Sequence, residues 1–243
     1  MNILIVHCHP EARSFNGSLK DVAIKLFKGQ GDNVEVSDLY AENFDPVERP
    51  QNYSDRVDME RFDILSEQRN AFDNNALPID IQREIKRLEK CDLLILQFPL
   101  WWHQQPAMLK GWFDRVFIAG GLYTSKMRYD KGYFKGKKAF CSVTSGAPFS
   151  TFTENGRGGG RIEDLLRAMN FSLHYMGFEV LPPYISTEIQ NKGFTYKSPG
   201  QFESDLQDNL RDWERHLSQI NEIKSLCFPG WSDWDEQGNE INA

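Results

Sequence analysis

Apolar and polar residues fall in blocks along this chain, and the blocks follow a strand–helix rhythm. Ile3-Leu4-Ile5-Val6 is a short, wholly apolar run of the kind a strand buried on both faces needs. It stops at His7-Cys8-His9-Pro10. Leu19, Val22, Ala23, Leu26 and Phe27 then recur at helical spacing. Val34 to Leu39 predicts a second strand, and Pro78 opens a helix that turns Ile81, Ile85 and Leu88 inward. Leu93 to Leu96 is another apolar run, broken by Pro99, which cannot stay in a central strand. Pro106 starts a helix with Met108, Leu109, Trp112, Phe113, Val116 and Phe117 on one face. Lys137 to Thr144 is a fourth strand. A helix carrying Leu165, Leu166, Met169, Leu173 and Met176 follows, then a fifth strand from Gly177 to Leu181, stopped by Pro182-Pro183. A last helix is predicted over 201–226, with Leu206, Leu210, Trp213, Leu217 and Ile220 on one face.

This alternation implies an α/β fold: a doubly wound, five-stranded parallel sheet with right-handed crossovers, in the flavodoxin-like arrangement. Residues 1–226 are expected to form one domain. Within it, 47–78 is polar throughout and too long for a simple connection, so it reads as an excursion over the surface. The acidic, tryptophan-containing tail 227–243 is expected to wrap the surface or fray.

Three loops at strand carboxyl ends carry the candidate chemistry: His9 to Ser18, Pro99 to Gln105, and Thr144 to Ala147. In an open α/β sheet such loops converge on one crevice. The first runs from strand through polar loop to helix start, which offers amides and a positive dipole end to an anion. It carries neither GxxxxGK[ST] nor GxGxxG, so Ser14 and Ser18 hydroxyls and backbone amides would do the binding. Ser14 serves equally well as a plain helix cap. The second loop presents Trp101, Trp102 and His103, a surface for a flat ring, although tryptophans at helix starts more often pack a core or lid. The glycines of 156–160 let backbone approach a ligand, or form a mobile connection. His7 and His9 alternate at a strand end, so only one faces the crevice, and no metal site is expected. An anion-binding end and an aromatic end together describe a phosphate joined to a flat ring.

Charge and composition narrow the class. Lys and Arg number 28 against 35 Asp and Glu, a formal charge of −7, which argues against nucleic-acid binding. No apolar run approaches the ~20 residues that cross a bilayer. The chain enters its first strand directly, with no leader pattern, and a cytoplasmic location is expected. Four dispersed cysteines (Cys8, Cys91, Cys141, Cys227) fit free thiols in a reducing compartment.

Several stretches resemble one family. His9 to Asn16 reads HxxxxSFN, Ser37 to Pro46 reads SDLYAxNFxP, and Gln97 to Phe117 reads QFPLxWxxxPAxLKGWFxRVF. YDKGxF with KKA (129–134, then 137–139) and LHxxGFxVL (173–181) complete the set. Over roughly residues 3–220 the chain resembles the NAD(P)H:quinone oxidoreductases of the DT-diaphorase type. The resemblance implies a homodimer holding FAD, or FMN as in shorter relatives. NAD(P)H and a quinone-like acceptor would take turns over one flavin face. His9, Ser14, Phe15, Asn16 and Ser18 would hold the phosphate end. Pro99, Leu100, Trp101, Trp102 and His103 would flank the isoalloxazine, and Thr144, Ser145 and Gly146 its pyrimidine edge. Tyr123, Ser125, Arg128 and Tyr175, with Phe152, would reach the substrate pocket, partly across the dimer interface.

The departures from the family pattern matter as much. A tyrosine–histidine pair that in the family stabilises charge on the reduced flavin is replaced by Phe152 and Gly158. Arg157 and the backbone of Gly146 and of the glycine run are the candidates to take over. His174 and Cys227 match two of three zinc ligands of some relatives, but the third is Asn170, a poor ligand, and no metal is expected. The rival class is a flavin-binding regulatory subunit or redox sensor, as some relatives are for potassium-efflux systems.

Overall fold

The computed structural model describes residues 1–190 and 197–241. Four long strands, β1 (Asn2–His7), β2 (Asn33–Asp38), β3 (Leu93–Pro99) and β4 (Lys138–Thr144), lie parallel in the order β2-β1-β3-β4. The fifth lane, beside β4, comes in two pieces, β5 (Glu179–Val180) and β6 (Tyr184–Ser186). Pro182 and Pro183 lie between the pieces. Neither can donate to a ladder, so pairing lapses there and resumes two residues on. The five-lane order 2-1-3-4-5 is the expected flavodoxin-like one.

Alternation along the strands sorts the core into two layers. Ile3, Ile5, Leu93, Ile95 and Phe140 face α1 (Phe15–Gly29) and α7 (Pro199–Ser218), where Leu19, Phe27, Trp213 and Leu217 meet them. Leu4, Val6, Leu94, Leu96 and Cys141 face the other way, toward α3 (Ile79–Lys90), α4 (Ala107–Val116) and α6 (Arg167–Tyr175). The short α5 (Ile162–Leu165) precedes α6, so the single helix expected there is two pieces. α7 ends at Ser218, short of Leu226. The chain then crosses to the sheet edge, where the Leu226 amide donates to the Val180 carbonyl at 2.7 Å.

The excursion is more ordered than its polarity suggests. Residues 64–73 form α2 (Ile64–Asp73), capped by the Asp63 carboxylate, which accepts the Ser66 amide at 2.8 Å. Its buried face is Glu67, Gln68 and Ala71, so no apolar stripe announces it. Glu67 accepts the Val57 amide at 2.9 Å. Gln68 donates to the Asp114 carbonyl at 3.0 Å and accepts the Ala119 amide at 2.9 Å, which ties α2 to the end of α4. The root of the excursion lies on α4 as well. A side chain on Gly111 would stand 2.1 Å from the Pro46 carbonyl oxygen.

Candidate active site at the carboxyl edge of the sheet

The three loops do meet. The Leu100 amide donates to the Thr144 carbonyl at 2.8 Å, which joins the second loop to the third. Asn16, buried at the start of α1, donates from Nδ2 to Thr144 Oγ1 at 2.7 Å and joins the first to the third. Gln97 Nε2 donates to the Asn16 carbonyl at 2.6 Å. Pattern reading missed Gln97 as a site residue. Its only signal is a polar side chain inside a fully buried apolar strand. The His9 and Trp101 rings complete the junction, with centroids 6.1 Å apart.

At the anion end, Ser14 Oγ accepts the Gly17 amide at 3.2 Å and so caps α1. Capping occupies a lone pair and leaves the hydroxyl hydrogen free to donate. Among the described residues the amides of Phe15 and Asn16 have no acceptor, and Ser18 is half-buried one turn on. Ser14 therefore caps the helix with its hydroxyl hydrogen still available to donate. Of the two alternating histidines, His9 faces the crevice; His7 is fully buried on the sheet.

At the aromatic end, Trp101 and Gln104 exchange backbone hydrogen bonds of 3.0 and 3.1 Å. The two residues between them, Trp102 and His103, both have positive φ, 53° and 64°. This is the geometry of a type I′ turn, which ordinarily calls for Asn and Gly. Trp102 is 91% exposed and Trp101 41%. Two large rings are thus held at the surface by a strained turn, an arrangement associated with ligand sites. Pro99 is buried beneath them. At the third loop, Ser145 Oγ accepts the Ala147 amide, while the Gly146 amide has no acceptor among the described residues. The buried carbonyl oxygens Asn16 Oδ1 and Gln97 Oε1 also have no donor. A ligand bearing phosphate, hydroxyls and a flat ring fits this set of groups.

Among the described residues the thiol next to the crevice is Cys8, directly after β1, and burial pushes it up to about 12, so it is no prepared nucleophile. The arrangement can bind, orient and donate hydrogen bonds. Redox chemistry would be supplied by a bound group.

A family model described by its flavodoxin-like fold matches residues 1–217. NAD(P)H dehydrogenase [quinone] 1 of Cavia porcellus is 36% identical over 96% of this chain and 82% of its own length. The chain belongs to the flavodoxin-like NAD(P)H:quinone oxidoreductase family. Its relatives include the ribosyldihydronicotinamide dehydrogenase [quinone] of Mus musculus, 37% identical over 94% of this chain and 96% of the mouse protein. A solved structure described as a putative quinone reductase from Klebsiella pneumoniae superposes with a TM-score of 0.85 at 31% identity, covering 100% of this chain and 92% of that one.

Against the family pattern, the Gly158 position has no room for a side chain. A Cβ there would lie 2.6 Å from the Thr151 carbonyl oxygen and 2.8 Å from the buried Phe152 ring. The neighbouring Gly159 approaches the His103 ring, and Arg157 is exposed with no ion-pair partner among the described residues. Tyr123, Arg128 and Tyr175 are gathered together, with Ser125 exposed beside them. Tyr123 and Tyr175 line a cleft along α4 with Lys110, Phe113 and Phe117, and no hydrogen bond or ring contact among the described residues joins them to the aromatic loop. Of the zinc-like positions, His174 Nε2 is 2.9 Å from the Pro229 carbonyl oxygen, Asn170 is buried beside Cys141, and Cys227 is exposed.

His7 gives the site's foundation a pH dependence. Both ring nitrogens are buried without partners, and burial, partly opposed by Asp38, lowers the ring's pKa from 6.5 to about 4. Between those values the unfolded chain binds the proton and the folded one does not. Stability is therefore full above pH 6.5 and falls by about 3 kcal/mol as pH drops toward 4. Urea unfolding of wild type and His7→Leu across this range checks it: the variant's curve is flatter by that amount.

Proposed function

We propose that the protein is a flavin-dependent NAD(P)H dehydrogenase (quinone) that binds FAD and works as a homodimer in ping-pong order. A bound flavin would supply the chemistry that links hydride donation by NAD(P)H to two-electron reduction of a quinone-like acceptor. The Asn16–Thr144 hydrogen bond, which locks the anion end to the ring end beneath an exposed tryptophan pair, carries this reading. The amides of Phe15 and Asn16, with the Ser14 and Ser18 hydroxyls, hold the phosphate end, and His9 and Phe15 border it. Pro99, Leu100, Trp101, Trp102 and His103 form the ring's wall. Thr144, Ser145 and the free amide of Gly146 meet its pyrimidine edge. Residues 1–226 form the working domain, and 227–243 is a tail, whose last two residues lie outside the described ones.

The dimer is supported by the α4–α6 face, where Phe113, Phe117, Tyr123 and Tyr175 surround an open cleft. A second copy seated on that face brings one chain's tyrosines to the other's ring, completing the acceptor pocket.

Arg157 and the Gly146 amide would stabilise negative charge on a bound flavin, because Phe152 and Gly158 donate nothing from their side chains. Replacing Arg157 by Ala is expected to slow flavin reduction by NADPH about a hundredfold. An unchanged rate in stopped flow removes Arg157 from the mechanism. The reading as a whole is tested on the purified protein. It is expected to be yellow, to release FAD on denaturation, to bleach with NADPH and to recolour with menadione. Colour without turnover would instead mark a regulatory flavin subunit.

The turn predicts a trade-off. Trp102→Asn with His103→Gly suits both left-handed positions and raises the melting free energy of the flavin-free protein by about 1–2 kcal/mol. Flavin affinity falls at least about tenfold through the lost indole wall. Thermal melts and flavin titration read the two effects separately, and equal affinity would show that the wall is elsewhere.

A further inference from the structure

Arg128 is a fixed cation whose fork is unused. Its Nε donates to the Thr124 carbonyl at 2.8 Å, which sets the plane of the guanidinium. The group lies over the Tyr175 ring at 5.3 Å and the Trp231 ring at 5.9 Å, held between the α6 helix and the tail. Its backbone is braced too. Tyr129, next in the chain, packs on Trp234 at 4.6 Å and Tyr175 at 5.2 Å, and the Trp231 amide is bound by Asp130 at 2.6 Å. Yet neither terminal NH2 group of Arg128 has an acceptor among the described residues, and no carboxylate pairs with it. It lies on the wall of a cleft of about 660 Å³ that also presents Tyr129, Phe171, Trp231 and Trp234. Two acids share that wall and neither pairs with Arg128: Asp235 is spent on its own turn, where it accepts the Gln237 and Asn239 amides, and Glu236 follows it. Tyr175 in turn meets Tyr123 at 5.7 Å.

A half-buried guanidinium with a fixed plane and two free donor pairs is built for bidentate capture of a planar oxyanion. We infer that Arg128 binds an anionic group on the acceptor, so that the preferred substrates are aromatic quinones bearing a carboxylate or sulfonate. The inference rests on the reading that Tyr123 and Tyr175 line the acceptor pocket. The ring system lies against Tyr123 and Tyr175, and the Arg128 fork, which covers the same Tyr175 ring, takes the acid.

Two measurements on the flavin-loaded protein separate this from the function itself. The first is binding of the redox-inert 2-naphthalenesulfonate against neutral 2-naphthol, read by tryptophan fluorescence. Wild type favours the sulfonate by about tenfold or more. Arg128→Met removes the preference, Arg128→Lys keeps part of it, and added salt shrinks it. The second is turnover of 1,4-naphthoquinone-2-sulfonate against menadione, where Arg128→Met lowers the kcat/KM ratio by the same factor, through KM. Equal binding of the two naphthalenes, or a preference that survives in Arg128→Met, overturns the inference even if both quinones turn over. A dimer that dissociates in Arg128→Met also overturns it, because the fork then serves the interface. Arg128-dependent sulfonate binding without turnover of either quinone upholds the anion site and sinks the proposed activity.

Discussion

A Gly17→Ala protein is expected to lose tight flavin binding and about 1–3 kcal/mol of stability. Gly17 is buried in the first turn of α1, and a Cβ there would stand 2.0 Å from the Ala12 carbonyl oxygen and 3.0 Å from its carbon. That neighbour is backbone, so no rotamer change relieves the clash. The segment from His9 to Ser14 would have to lift off the helix start. The Gly17 amide is also the donor that Ser14 caps, so the cap is disturbed by the same displacement. Both donor sets at the anion end then move together: the free amides of Phe15 and Asn16, and the Ser14 hydroxyl. Gly29→Ala, at the other end of the same helix, is the control. Nothing lies within 4 Å of its added Cβ, and it gains about 0.5–1 kcal/mol from the lower entropy of the unfolded chain. Urea unfolding and flavin titration of the two variants decide the matter. A Gly17→Ala protein that binds flavin like wild type would show that the first loop does not hold the phosphate end.

Gly17 also marks the limit of what the sequence reveals. β1 and β3 are legible because parallel strands buried on both faces read as bare apolar runs, Ile3–Val6 and Leu93–Leu96, whereas the edge strand β2 shows only the alternation of Val34 and Val36 with polar residues. The loops that follow them are legible by position, since every candidate crevice lies at carboxyl ends. What joins those loops is not. Gln97 and Asn16 make their decisive hydrogen bonds across 81 and 128 residues of chain, and local pattern carries no trace of such pairings. The α2 helix escaped for a related reason: its buried side is Glu67 and Gln68, satisfied by partners far along the chain. Gly158 is instructive in the opposite sense. The absent histidine was visible at once, but its cause, a Thr151 carbonyl filling the space, needed coordinates. Within the Gly156–Gly160 run, Gly156 and Gly158 are packed against Thr151, while Gly160 is open.

Arg115→Met is expected to cost about 3–5 kcal/mol, the scale for removing one partner of a buried ionic cluster. Arg115, on α4, is buried and donates to the Asp45 carbonyl at 2.6 Å and to Asp80 at 2.8 Å, while its Nε lies 3.3 Å from Glu48. Its guanidinium also covers the Phe44 ring at 5.4 Å. All but Asp80 of these partners belong to the segment that begins the excursion, the same segment whose Pro46 seats on Gly111. The cation is therefore what clamps residues 44–48 to the helix that carries the aromatic turn. Methionine fills much of the same volume, so the loss is chiefly electrostatic. Burial already raises the Glu48 carboxyl above its usual range, and only Arg115 and the Tyr53 hydroxyl oppose that rise. Without the cation the folded-state value climbs further above the unfolded one. The folded variant then binds a proton that the unfolded chain has released, and its stability grows as pH falls through the folded value. The deficit against wild type should be widest at pH 8 and narrow toward pH 5. Adding Glu48→Gln should recover part of it at pH 8, with a coupling energy that a double-mutant cycle reports. A deficit that stays constant with pH would mean that Arg115 acts by packing on Phe44 alone.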